Sequence, residues 1–63
     1  MNALKTFVNQ IEAFGSLQSE RRTKNTNHII KVYRIDTVTS AIIIYAPNGK
    51  PKEARFAYTS DVL

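Results

Sequence analysis

The chain has no cysteine and no tryptophan, a single histidine, a single methionine, two glycines and two prolines. Without a thiol no disulfide can close a loop, and His28 alone offers zinc too few ligands. No apolar run comes near the roughly 20 residues of a membrane-spanning helix, and the N-terminus lacks the basic-then-apolar layout of a secretory signal. A cytoplasmic location with no membrane partner is therefore expected. Acids are also in short supply, five against nine Lys and Arg, leaving a formal charge of +4 and a pI near 9.8. Such an excess draws acidic partners, nucleic acid first, while saying nothing about fold.

What is present has the balance of a folded domain, with 43% hydrophobic and 22% charged residues. Sixty-three residues make one domain, 1–63. A chain of that size buries only about 60% of the surface its unfolded form exposes, so its core is thin. Disulfides, a metal or self-association usually make up the deficit. The first two have no support here, so a homo-oligomer, a dimer first, is expected, with no metal and no cofactor.

In "NALKTFVNQIEAFG", Leu4, Phe7, Val8, Ile11 and Phe14 recur at spacings of three and four and gather on one helical face. Asn2 suits the N-cap, and Gly15 stands where a C′ residue of positive φ is expected, so a helix over about 3–14 is predicted. "SLQSERRTKNTNH", residues 16–28, has one large apolar residue, Leu17, and many side chains that bond their own backbone. A mobile, polar, basic connection is expected there.

From Ile29 the period becomes two. Ile29, Lys31, Tyr33 and Ile35 alternate with Ile30, Val32 and Arg34, which predicts a strand over about 29–36. "AIIIYA" reads as a strand over about 40–46, since three successive isoleucines, stiff at χ1, disfavour helix. Asn48-Gly49 between Pro47 and Pro51 signals a hairpin leading into a strand over about 53–59. The expected fold is α+β: an N-terminal amphipathic helix packed on a three-stranded antiparallel meander, dimeric. One short helix cannot cover both faces of such a sheet. Ile29, Tyr33, Ile35, Ile43 and Tyr45 are assigned to a protein-interaction or dimer face.

Catalytic equipment is not evident. His28 has no thiol beside it, the acids stand singly without paired spacing, and "PNGKPK" is too short and too poor in glycine to cradle a phosphate. No catalytic residue is assigned. The basic residues form three sets: Arg21, Arg22 and Lys24; Lys31 and Arg34; Lys50, Lys52 and Arg55. They suit contact with successive phosphates, with Asn25, Asn27 and Asn48 as amide partners and Tyr33, Tyr45 and Tyr58 available to stack bases. They equally suit a solvated surface that keeps strand edges from pairing.

Two functions follow. The first is a small interaction module, an inhibitor or adaptor of the sort phage and plasmid genomes encode, docking on a larger protein partner. The alternative is a nucleic-acid-binding protein gripping phosphates through the 20–24 connection and the 48–55 hairpin. Charge around the rim of an apolar patch favours the former; one contiguous basic surface favours the latter.

Overall fold

The computed structural model describes residues 2–62. Helix α1 spans Ala3–Phe14. The Asn2 side chain caps it, its oxygen accepting from the Lys5 N–H at 3.2 Å. Gly15 ends it differently from expectation: its φ is −83°, outside the left-handed region. The need for glycine there is steric. A Cβ at this position would come within 2.8 Å of the Ile11 carbonyl oxygen and 3.1 Å of Tyr33 Cβ. With no side chain in the way, the Gly15 N–H bonds that same oxygen at 2.7 Å and the chain turns directly into the sheet.

The sheet has four antiparallel strands where three were expected. They are β1 (Ser16–Arg22), β2 (Ile29–Arg34), β3 (Thr39–Tyr45) and β4 (Pro51–Tyr58), in the order β1-β2-β3-β4. The first half of the expected 16–28 connection is thus an edge strand. Its residues are all exposed, so it carries none of the in-out alternation by which a strand is read. Backbone pairing with β2 holds it, from Ser16 opposite Arg34 to Arg22 opposite Ile29, with a bulge at Gln18. The Thr23–His28 loop is hydrogen-bonded too: the Thr23 N–H reaches the His28 oxygen at 2.9 Å, and the Asn27 N–H the Thr23 oxygen at 3.0 Å. Asn27 takes φ = 57°, which its short amide side chain tolerates.

The remaining strands follow the expected order with shifted ends. β2 stops at Arg34 because Asp36 captures the next turn, its Oδ1 accepting from the Val38 and Thr39 N–H groups at 2.9 and 2.7 Å. β3 passes into β4 through Pro47, Asn48 and Gly49. The Gly49 N–H bonds the Ala46 oxygen, the Ala46 N–H bonds the Lys50 oxygen, and Gly49 sits at φ = 89°. This is the three-residue hairpin loop in which a left-handed glycine follows a β-turn. A single helical turn, α2 (Thr59–Val62), closes the described chain. No helix among the described residues is long and apolar enough to cross a membrane.

The core lies between α1 and one sheet face. Val8 and Ile11 pack on Tyr33, Ala41, Ile43 and Tyr45, with Leu4, Phe7, Ile29 and Ala54 at the margin. Phe7 meets Phe56 edge to face at 5.3 Å, and the Tyr45 hydroxyl donates to Glu12 at 2.9 Å. Ala41 and Ala54 are small enough to let the helix approach. Phe14, expected on the buried stripe, is 85% exposed, one turn beyond Ile11, the last buried residue of the helix.

This arrangement inverts the expected division of faces. Ile29, Tyr33, Ile43 and Tyr45, assigned to an outward interaction face, lie beneath α1, and Ile35 belongs to the β2–β3 turn rather than to a strand. Alternation separates the two sets of side chains correctly but does not say which set a helix will choose. The choice went to the set carrying two alanines and two tyrosines.

Candidate docking face

Residues that point away from α1 follow from the registers. Ile30 opposes Ile44 and Val32 opposes Ile42 across β2 and β3. On β1 their neighbours are Arg21 and Ser19; on β4 they are Glu53 and Arg55. Four branched aliphatic side chains therefore make a stripe across the centre of this face. α2 covers only one corner of it, where Ser40 and Thr59 share a buried hydroxyl hydrogen bond of 2.9 Å. Val62 and Asp61 of α2 join Ile30, Val32, Ile42 and Ile44 around a concavity that no described element fills. Val32 is 8% exposed there, while the three isoleucines are half-buried.

Arg21, Arg34 and Arg55 stand around this stripe, one each on β1, β2 and β4. All three are exposed. Their guanidinium groups are permanently charged, and flat enough to meet carboxylates in pairs.

The other cations lie elsewhere. Arg22 and Lys31 are on the helix side, opposite or next to Ile29 and Glu20 in the ladder. Lys31 is occupied: its ammonium lies 3.7 Å from Glu20 and 5.0 Å from the centre of the Tyr45 ring. Lys24 sits in the β1–β2 loop and Lys50 in the β3–β4 loop, with Lys52 in the bulge beside it. An up-and-down meander puts those two loops at the same end of the sheet. His28 and Lys52 line one small surface depression there, with Ile44 and Glu53. Of the tyrosines offered for base stacking, Tyr33 and Tyr45 are buried under the helix, and Tyr58 is 70% exposed.

Two side chains have ionisation fixed by their surroundings. Burial first, then its bond to Glu12, pushes the Tyr45 hydroxyl far above the ordinary 10.0. Hydrogen bonds from the Val38 and Thr39 backbone hold the Asp36 carboxyl below its ordinary 3.8. Both effects serve the fold. No group of three or more metal-ligating side chains comes together among the described residues.

Ile30, Val32, Ile42 and Ile44 were not assigned to a site on sequence grounds. Alternation gave no signal that would have found them: Ile30 and Val32 share a face with Arg34, but Ile29 and Tyr33 share theirs with Lys31. Comparison with protein-family models, curated proteins and solved structures found no match to this chain.

Proposed function

We propose that this chain is a small non-catalytic docking module that seats a partner protein on the open face of its sheet. The observation that supports this reading is the stripe of half-buried Ile30, Ile42 and Ile44 around the buried Val32, which α2 covers only in part. Arg21 and Arg55 lie beside it and Arg34 at the end of β2, with Glu53 and Asp61 as the acids on the same face. Apolar centre and charged rim are the anatomy of protein interfaces, in which arginine is enriched and lysine depleted. The partner's matching surface has an aliphatic or aromatic centre and carboxylates at its margin. Capture from source-cell lysate by wild type and by Ile42→Glu and Arg34→Glu/Arg55→Glu variants, each with and without nuclease, tests it. One protein retained by wild type after nuclease treatment, and lost by both folded variants, is the expected result. Capture indifferent to the open face, or abolished by nuclease, overturns the reading.

A second reading has its own support. The meander brings Lys24 and the Lys50–Lys52 segment to one end of the molecule, the placement a sequence-tolerant phosphate grip requires. Duplex or single-stranded DNA titrated at two salt concentrations would then show a log–log slope of about −0.9 per neutralised phosphate on duplex. Lys50→Gln/Lys52→Gln should flatten that slope by nearly two units. A wild type that binds neither nucleic acid at about 150 mM salt, a physiological ionic strength, removes this reading.

A further inference from the structure

The two edges of the sheet are not equivalent. β4 is guarded. The Ala46–Lys50 hydrogen-bonded pair puts the next pair, Tyr45 and Pro51, in the non-bonded position of the ladder. The Pro51 nitrogen therefore faces outward, where proline has no hydrogen to offer, and the bulge at Lys52 follows directly. β1 has no proline, its bulge at Gln18 lies outside the Glu20–Arg22 stretch, and it is exposed throughout and packs laterally on β2 alone.

The outward backbone groups of β1 follow from the same alternation. Thr23 donates to the His28 oxygen, so Thr23–His28 is a hydrogen-bonded pair. Arg22–Ile29 is then non-bonded, Arg21–Ile30 bonded and Glu20–Lys31 non-bonded. Glu20 and Arg22 accordingly turn their N–H and C=O groups toward the free edge. Their side chains share the helix side of the sheet, while the Arg21 side chain lies on the open side.

We propose that β1 pairs antiparallel with β1 of a second copy of this chain about a two-fold axis at Arg21, joining two four-stranded sheets into one of eight. Three requirements meet in this register. Glu20 of each copy falls opposite Arg22 of the other. Both are residues whose backbone groups point outward, so they form hydrogen-bonded pairs. Both side chains lie on one side of the sheet, so each pair is also a carboxylate facing a guanidinium, the favourable cross-strand combination. Moving the axis to Glu20 sets Glu20 against Glu20, and moving it to Arg22 sets Arg22 against Arg22. An axis between two residues would pair outward backbone groups with groups already turned to β2. The register has one unfavourable pair, Arg21 opposite Arg21, which sets the association weak and gives the test its sign.

The seam lies along an edge and leaves the open-face aliphatic stripe free, sharing only Arg21 with the proposed docking surface. Sedimentation equilibrium of wild type, Arg21→Thr, Glu20→Arg and Ile42→Glu tests it, with circular dichroism to confirm folding. Wild type should dimerise at high micromolar to millimolar concentration. Arg21→Thr should dimerise at least tenfold more tightly, Glu20→Arg should be monomeric, and Ile42→Glu should match wild type. Since the chain has no cysteine, single introductions report the register directly. Arg21→Cys should cross-link under mild oxidation, as its two copies face each other in a non-bonded pair, and Arg22→Cys should not. Dimerisation lost in Ile42→Glu but untouched in Glu20→Arg overturns the edge pairing in favour of face packing. So does a wild type and an Arg21→Thr variant that are both monomeric, or a cross-link that forms in Arg22→Cys and not in Arg21→Cys.

Discussion

At the scale of residues, the two glycines do different work. Gly49 holds a left-handed φ of 89° with open space where a side chain would go. Gly15 holds an ordinary φ with no space at all. Gly49→Val should cost about 1 kcal/mol or more, and Gly49→Asn much less, because asparagine visits left-handed backbone readily. Gly15→Ala should cost about 1–3 kcal/mol by crowding, and Gly15→Asn no less. Thermal unfolding separates them, at roughly 4–8 °C per kcal/mol for a domain of this size. An asparagine that rescues position 15 as well would contradict the steric account. Asp36 has a pH signature. Its carboxyl titrates lower folded than unfolded, so its contribution is present above the unfolded value near 3.8 and lost as pH falls through the folded one. Asp36→Asn keeps an oxygen for the Val38 and Thr39 N–H groups but cannot titrate. Its melting temperature should therefore fall less than the wild type's between neutral pH and about pH 2, below the usual carboxylate range.

The elements differ in how they are held. α1 is fastened by Val8 and Ile11, 1% and 5% exposed, and by the Tyr45–Glu12 hydrogen bond. Either Val8→Ala or Ile11→Ala should cost about 2–4 kcal/mol, most of the stability a small domain has, and measured denaturant midpoints should drop accordingly. Tyr45 adds a limit in alkali. A hydroxyl whose folded pKa is raised contributes fully below its unfolded value of 10.0, and that contribution is lost as pH rises above it. Tyr45→Phe should be less stable at neutral pH by about 1 kcal/mol, with a shallower fall above about pH 10. β1, in contrast, rests on a single neighbour and buries no side chain. In dilute solution its amides should exchange fastest of the four strands, Glu20 and Arg22 earliest, and those of Ala41 and Ile43 slowest. Protection of Glu20 and Arg22 that grows with protein concentration would be the local trace of edge pairing.

The whole molecule is a slab, 31 × 31 × 14 Å, with one helix on one side. Its two sheet faces should answer a charge in opposite ways. Ile43, fully buried under α1, cannot take a carboxylate without leaving it unpaired in the core, and Ile43→Glu should unfold the chain. Ile42, the preceding residue, is half-buried on the open face, and Ile42→Glu should fold, stay soluble to higher concentration and lose any partner seated there. Circular dichroism of the two variants side by side decides the matter. A folded Ile43→Glu with an unfolded Ile42→Glu would mean the helix sits on the other face.

Periodicity and local chemistry alone determined α1 with its Asn2 cap, the presence of β2, β3 and β4, the Asn48-Gly49 turn and the α+β class. Each is written in contacts within a few residues, where a 3.6 or 2.0 repeat or a turn-former's dihedral preference acts directly. Tertiary structure decided the rest. β1 exists because its backbone pairs with β2, and a strand exposed on both faces leaves no pattern in its side chains. The inward face of the sheet was chosen by fit against Val8 and Ile11, a choice between two apolar sets that alternation renders equivalent. The sorting of cations into an arginine rim and a basic end likewise depends on register and on which way a meander folds back. Those are long-range facts: a shift of one residue in a ladder would carry the arginines and isoleucines of the shifted strand to the opposite face.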